Sequence, residues 1–420
     1  MRRALGLGFA TLLAGLACGA ATAAAAGAPY EPGTLIVKYA DDASAAERSL
    51  AGRLGGVLER LADVRGVGAQ LVRVAGDPRA AAARLNRSGA VLYAEPNYIV
   101  RTSAIPNDPR FGELYGLHNT GQTGGTADAD IDAPEGWTSL FGTSFPSSGG
   151  AKIGIVDTGV LAGHEDLAGK VVNCAGVRSF GIDLLGLISL PLFGDPTIVE
   201  GRCADDHGHG THVAGTAAAV ADNGRGVAGV AFNSPLAVCK ALDKIGAGGV
   251  AGIVNCINYL VANGAKVISM SFGTATDSAT LRSAIASASN SALIVAAAGN
   301  GGTPVASYPA FYPEAVSVAA TDNRDQRAVF STFNNDVEVA APGVDILSTW
   351  RDGAYRAASG TSMATPHAAA VGAVIAGRYP TDGPLLWRQK LDGAVDDVAA
   401  PGRDAETGFG RVNLQQAATE

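Results

Sequence analysis

The chain lacks a surplus of positive charge: Lys and Arg number 31 against 39 Asp and Glu, a formal net charge of −8 over 420 residues. That balance argues against a nucleic-acid-binding protein, which carries a basic face. Beyond the first residues no apolar run reaches the roughly 18 uncharged residues that a membrane span requires. Cysteine is scarce, at 5 residues, and no close Cys-x-x-Cys pair or His-Glu-x-x-His helix pattern marks a zinc site. What is abundant is apolar content, 47%, together with 56 glycines. Tight turns and closely packed helices follow, and with them a compact α/β body of more than one domain.

Residues 1–28 carry the parts of an export signal: Arg2 and Arg3, an apolar run from Ala4 to Cys18, then small residues to Ala28. Ala21-Thr22-Ala23 and Ala26-Gly27-Ala28 are both candidate cleavage sites. Gly15-Leu16-Ala17-Cys18 loosely resembles a bacterial lipoprotein site, which would anchor the product at Cys18. A secreted or periplasmic location is expected either way. Without Cys18, four cysteines remain, and an even set in an exported chain favours two disulfides. Three pairings are open. Cys174 with Cys203 and Cys239 with Cys256 are preferred because each closes a short local loop.

Residues 29–103 read as a small α+β module. Thr34–Tyr39 and Gln70–Val74 suggest strands, Ala45–Leu61 and Pro78–Leu85 helices, and Val91–Pro96 with Tyr98–Val100 the end of the sheet. The polar run Ser103 to Pro109 contains two prolines and sets the boundary to a second domain, 104–420. There, apolar strands alternate with helical patterns, which predicts a mostly parallel twisted sheet with helices on both faces. Strands are expected at Lys152–Val156, Leu236–Leu242, Lys266–Ser271, Ala292–Ala298 and Ala315–Ala319. Helices are expected at Thr211–Ala221, Gly248–Asn263, Asp277–Ser289, Ala364–Gly377 and Pro384–Leu391. Asp183–Gly201 crowds Leu184, Leu185, Leu187, Ile188, Leu190, Leu192 and Phe193 into one loop, read as a structural insertion near a cleft.

Three segments carry chemistry, in the order Asp, His, Ser: Asp157 in Ile153-Gly154-Ile155-Val156-Asp157-Thr158-Gly159, His209 in His207-Gly208-His209-Gly210-Thr211-His212, and Ser362 in Gly360-Thr361-Ser362-Met363-Ala364-Thr365-Pro366. A serine hydroxyl is a poor nucleophile at neutral pH unless a base accepts its proton and a third group orients that base. Ser362 before an Ala-rich helix would sit where free backbone amides and the helix dipole favour an oxyanion. His212 is expected to pack inside its helix, His207 to be exposed, and Asp205 and Asp206 to be solvated.

These motifs resemble the subtilisin-like serine proteases across residues 107–417, and the order Asp, His, Ser is the subtilisin order. The resemblance implies peptide hydrolysis through an acyl-enzyme, with Asn300 in Ala298-Gly299-Asn300-Gly301 as an oxyanion donor beside the nucleophile's amide. It implies that an extended polypeptide substrate pairs with edges at Ser271-Phe272-Gly273 and around Gly246 and Gly248. The first specificity pocket would be walled by Ser271–Gly273 and by Ala297–Asn300, which include Ala298 and Gly299. With Gly301 at its rim, nothing pairs with Lys or Arg, so apolar or aromatic residues are expected before the scissile bond. It implies that the 29–103 module is a pro-peptide that assists folding and then inhibits its own protease, which matures by self-cleavage and acts as a monomer. Asp166 and Asn223, with Asp222 adjacent, match calcium positions, and Arg225 falls inside that loop. No organic cofactor is implied. A catalytically silent binding protein on the same fold, and an esterase or peptide ligase, are the alternatives to an endopeptidase.

Overall fold

A computed structural model describes residues 30–98, 104–179, 182–184, 188–190 and 194–419. The expected signal segment and Cys18 lie outside the described residues, as do Leu185, Leu187, Leu192 and Phe193 of the insertion. The chain divides into two compact units, residues 1–101 and 102–420.

In the smaller unit, strand β1 (Tyr30–Tyr39) is followed by helix α1 (Ala45–Gly55), β2 (Val57–Val64), β3 (Ala69–Val74), α2 (Pro78–Leu85) and β4 (Val91–Tyr98). The four strands form an antiparallel sheet in the order β2-β3-β1-β4. Leu35, Val37, Val72 and Val74 on the sheet meet Ala51, Ala81 and Leu85 on the helices in one core. The helix expected to run to Leu61 stops at Gly55. Gly56 caps it with φ 80°, and its N–H returns to Arg53 and Gly52 carbonyls. Val57–Val64 then pair with β3 instead, because an unpaired edge of β3 gains a whole ladder of hydrogen bonds there.

The larger unit begins with α3 (Ala133–Phe141) and continues through β5 (Ile153–Asp157), β6 (Val171–Val177), the short pair β7 (Ile182–Leu184) and β8 (Ile188–Leu190), β9 (Ile198–Glu200), α4 (His209–Ala218), β10 (Leu236–Lys240), α5 (Val250–Ala262), β11 (Val267–Met270), α6 (Ala279–Ala288), β12 (Leu293–Ala297) and β13 (Ala315–Thr321). After β14 (Val339–Pro342) come the hairpin β15 (Ile346–Thr349) and β16 (Tyr355–Ala358), then α7 (Thr361–Arg378), α8 (Pro384–Gly393), β17 (Val395–Asp396), β18 (Arg411–Val412) and α9 (Leu414–Thr419).

Ten of these strands form one sheet in the order β17-β18-β14-β13-β12-β11-β5-β10-β6-β9. From β18 to β6 every pairing is parallel, while β17 and β9 run antiparallel at the edges. The central strands β5, β10, β11 and β12 are buried along their whole length, as a parallel sheet covered on both faces requires. One core joins α3, α4 and α7 to one face, with Trp137, Val213, Ala368 and Val371 among its members. A second packs Ile253, Ile257, Leu281 and Ile285 of α5 and α6 on the other. Cys174 is bonded to Cys203 and Cys239 to Cys256. The first ties β6 to the segment before α4, and the second ties β10 to α5. Among the described residues no helix is long and apolar enough to cross a membrane.

Candidate active site

Parallel register brings three strand ends together. β11 lies between β5 and β12, with Ser269 opposite Ile155 and Met270 opposite Ala296. Asp157, Ser271 and the Ala298-Gly299-Asn300 segment therefore leave the sheet side by side at its carboxyl edge, on strands about 4.8 Å apart. In open α/β sheets functional groups collect at that edge.

Asp157 is fully buried. Its Oδ1 accepts from the Thr158 N–H at 2.7 Å and lies 2.8 Å from His209 Nδ1, while Oδ2 has no hydrogen-bond partner in the described residues. His209 opens α4, with its side chain 22% exposed. Gly210, next along, lies so close to the strand end that a Cβ there would fall 2.2 Å from the Gly159 carbonyl oxygen. Only glycine lets α4 start against Asp157. Gly208, at φ 112°, is likewise pressed by the Trp350 ring, 2.5 Å from where a Cβ would be. Burial pulls the His209 pKa down, but the charge and hydrogen bond of Asp157, with Asp205 further off, outweigh it and leave the imidazole above its ordinary value. His212, one turn on, is buried and bonded through Nε2 to the Ile346 and Arg356 carbonyls; burial lowers its pKa to about 4. His207 is half-buried rather than exposed, and its Nδ1 accepts the His209 N–H at 3.3 Å.

Ser362 occupies the first turn of α7, where N–H groups have no intrahelical acceptor. Its hydroxyl donates to the Ser271 carbonyl at 2.9 Å, and the Ser271 hydroxyl donates back to the Ser362 carbonyl at 2.9 Å. Among the described residues no hydrogen bond joins Ser362 Oγ to His209. Ser271, expected at a substrate edge, is buried and its side chain is committed to Ser362. Asn300 Oδ1 accepts from both the N–H of Thr361, at 2.9 Å, and its hydroxyl, at 3.0 Å. Thr361 Oγ1 in turn accepts the Gly299 N–H at 3.2 Å. With its oxygen held this way, the Asn300 amide nitrogen is left to donate outward.

Of the other expected edge residues, Phe272 is half-buried, and Gly246 and Gly248 lie in the exposed turn after β10, Gly246 beside the His207 ring. Ala298 is fully buried, bonded through its N–H to Val318. The space between Gly273 and Gly299 holds two residues that pattern reading missed. Ser307 lies against both glycines and Thr332 against Gly299. Nothing local in Val305-Ala306-Ser307 signals this, since the contact arises where two loop segments meet at the isolated Thr274–Tyr308 bridge. Asp205, expected to be solvated, is half-buried and accepts five hydrogen bonds. Asp206 is exposed and pairs with Lys240 Nζ at 2.6 Å.

Asp166 is fully buried, and its Oδ1 accepts from Asn223 Nδ2 at 3.0 Å. Asp108, also unnoticed in the sequence, joins them: its carboxylate accepts the Asp222 and Asn223 N–H groups. Burial is the larger cause raising the Asp108 pKa, and the Asp166 charge adds to it. Among the described residues no group of three or more His, Cys, Asp and Glu side chains is gathered for a metal. Asp108 and Asp166 are buried carboxylates of the kind a hard cation takes, and here Asp166 Oδ2 accepts from the Val227 N–H and the Tyr355 hydroxyl instead. Arg225 is exposed and gives its N–H to Asn223 Oδ1.

Asp157 at the end of β5 bonded to His209 at the start of α4, with Ser362 at the start of α7 held to Ser271 just beyond β11, is an arrangement that suits a serine hydrolase on an α/β fold. Residues 148–410 match the model of the subtilase family, and residues 18–97 that of the fervidolysin N-terminal prodomain. Thermitase of Thermoactinomyces vulgaris is 38% identical over 314 residues, covering 74% of this chain and 98% of that protein. A thermophilic serine proteinase of Bacillus sp. (strain AK1) is 34% identical over 93% of this chain and 88% of its own length. A solved protease structure from Pseudoalteromonas arctica PAMC 21717 aligns with a TM-score of 0.62 at 28% identity, covering 74% of this chain and 98% of that one. The chain belongs to the subtilase family of serine proteases and carries an N-terminal prodomain.

Proposed function

We propose that the chain is a secreted, self-processing serine endopeptidase in which Asp157, His209 and Ser362 act as a triad and Asn300 as oxyanion donor. Asp157 accepts the Nδ1–H of His209, fixing the tautomer that leaves Nε2 as the base. In catalysis the Ser362 hydroxyl passes its hydrogen bond from the Ser271 carbonyl to Nε2, and such bonds tighten when substrate binds. Ser362 Oγ attacks the peptide carbonyl while His209 takes its proton. The oxyanion is met by the Asn300 amide nitrogen and the Ser362 N–H. His209 then protonates the leaving amine, and water hydrolyses the acyl-enzyme. The reading is carried by the shared register of β5, β11 and β12, whose ends support Asp157, the Ser271–Ser362 pair and Asn300. Labelling by a fluorophosphonate, with the adduct mapped by peptide mass, tests it: modification at Ser362 is expected, and an unlabelled protein that still cleaves peptides would refute it.

Residues 1–28 act as export signal, 29–103 as pro-peptide and 104–420 as protease. The prodomain match ahead of the subtilase match supports a pro-peptide followed by a protease, and the two disulfides support an oxidising destination. The pro-peptide assists folding and then inhibits the enzyme until it is cut away. A purified Ser362→Ala precursor is expected to stay uncut at this boundary. Ser271–Gly273, Ala298, Gly299, Ser307 and Thr332 bound the first specificity pocket, and Gly246 and Gly248 border the substrate strand. Alanines, glycines and hydroxyls offer a cationic side chain no counter-charge, so apolar or aromatic residues precede the scissile bond. Faster cleavage of p-nitroanilides after Arg than after Phe or Leu would contradict that preference. Calcium, if bound, is held by Asp108, Asp166 and Asn223, where it neutralises two buried carboxylates and braces the 222–227 loop.

A further inference from the structure

We propose that Asp205 is a positioning residue for His209: a second carboxylate that locks the end of β5 to the start of α4 and shares in stabilising the charged imidazole. This rests on the triad reading above. Asp157 and His209 come from segments 52 residues apart, and their own contact is a single hydrogen bond about which the imidazole can swing. Something else must fix the two backbones relative to each other.

The hydrogen bonds of Asp205 supply that link. Oδ1 accepts from the Thr158 hydroxyl at 2.9 Å, from the His207 N–H at 3.0 Å and from the Gly208 N–H at 2.8 Å. Oδ2 accepts the N–H and the hydroxyl of Thr211, at 2.9 and 2.6 Å. Both threonines are buried and pass the connection on. Thr158 Oγ1 accepts the Gly210 N–H at 2.9 Å, and the Thr158 N–H is the one bonded to Asp157 Oδ1. Thr211 Oγ1 accepts the Leu161 N–H at 3.0 Å, returning to the segment beyond Asp157. Two bridges therefore flank the Asp157–His209 contact, and both end on one carboxylate. Gly208, the N-cap of α4, has no side chain to accept the free N–H groups of the first turn. Asp205 does so from outside the helix, where an anion also opposes the positive dipole end.

The carboxylate is ionised. Burial pushes its pKa up, but the bonds from Thr211, Gly208 and His207 outweigh that and hold it below the ordinary range. It therefore adds a fixed negative charge near His209, after the larger contribution of Asp157. The other titratable groups facing this region are His207, whose ring centre is 6.1 Å from that of His209, His212 within α4, and Asp206 with Lys240. Lys240 also donates to the Thr158 carbonyl, so its ammonium braces the same residue through its backbone.

Two substitutions separate the bridge from the charge. Asp205→Asn removes the charge and spoils the acceptor at Oδ2; Thr158→Val removes one bridge and leaves the charge. Mature wild type and variants are assayed on a peptide substrate from pH 5 to 9, with active sites counted by fluorophosphonate titration so that misfolded enzyme is excluded. For Asp205→Asn, kcat per active site is expected to fall by about ten- to a hundredfold with KM unchanged. The acidic limb of kcat/KM should shift down by about half a unit. Thr158→Val is expected to lower kcat with the limb unmoved. A merely structural role would cut the number of active sites and the melting temperature while leaving both kcat per site and the limb in place, and that result overturns the proposal. If Asp205→Asn does not mature, Thr158→Val decides: wild-type kcat overturns the proposal, and a lowered kcat with an unmoved limb supports the bridge. Failure of the triad reading shows separately, as wild type that the fluorophosphonate does not label at Ser362.

Discussion

Thr361 gives both its backbone N–H and its hydroxyl to one atom, Asn300 Oδ1. That double hold fixes the amide oxygen on Thr361 and leaves the nitrogen as the free end. Removing the donor by Asn300→Leu should cost about 10²- to 10³-fold in kcat, the range known for an oxyanion donor of subtilisin. Thr361→Val keeps the N–H bond and loses the hydroxyl bond, so a fall of about tenfold is expected. Steady-state kinetics check both, with KM little changed in each. Equal losses in the two variants would mean that Thr361 does more than orient Asn300.

The pH profile follows from the raised pKa of His209. Peptide hydrolysis needs the neutral imidazole, so kcat/KM falls as pH drops through that pKa. The acidic midpoint is expected above the ordinary histidine value of about 6.5. His212 and His367 are buried with pKa values lowered to about 4 by desolvation, and they do not contribute to this limb. A midpoint well below 6 would show that Asp157 does not support His209.

Much of the site was legible because its residues announce themselves in short runs. Asp157 ends an apolar strand, His209 and Ser362 each begin a helix, and Asn300 follows a strand of small residues. Asp108, Ser307 and Thr332 gave no signal, since each gains its role only when loop segments far apart in sequence lie next to one another. Asp205 was misjudged for the same reason: an acid beside a second acid and a histidine reads as a solvated pair until Thr158 and Thr211 close over it. In the fold, the parallel core strands stood out as apolar runs. β6 did not, because Asn173, Cys174 and Gly176 interrupt its pattern, and α1 was drawn too long because Gly55 and Gly56 fit the helical period while Gly56 ends it.

Asp130 and Asp132 lie in a buried carboxylate cluster near Arg411, and burial, then neighbouring acids for Asp132, raises them to about 7 and about 8. A carboxyl raised in the folded state is protonated there while the unfolded chain has released its proton. The stability it contributes is therefore present below about pH 4 and is lost as pH rises through 7 to 8. In an inactive Ser362→Ala background, Asp132→Asn should raise the melting temperature at pH 9 relative to its parent and change it less at pH 5. A larger gain at pH 5 would contradict the sign.

The two disulfides close loops of 29 and 17 residues. Each is expected to contribute about 3 to 4 kcal/mol by restricting the unfolded chain. Cys239 and Cys256 are fully buried, whereas Cys174 is partly exposed. Mild reductant should therefore open Cys174–Cys203 first. Thiol alkylation followed by peptide mapping reads the order, and preferential labelling of Cys239 and Cys256 would contradict it.

Chelation tests the cation site. In the Ser362→Ala background, EDTA should lower the melting temperature, and added calcium should restore it. Asp166→Asn should abolish that response. A chelator response that survives Asp166→Asn would place the stabilising ion elsewhere.

The most direct test is deletion of one oxygen atom. Mature wild type and Ser362→Ala, the latter processed in trans, are compared on the same peptide substrate at equal concentration. Hydrolysis should fall by several orders of magnitude, with substrate affinity and melting temperature retained. Undiminished turnover by the alanine variant would contradict the assignment of Ser362 as nucleophile, and with it the triad.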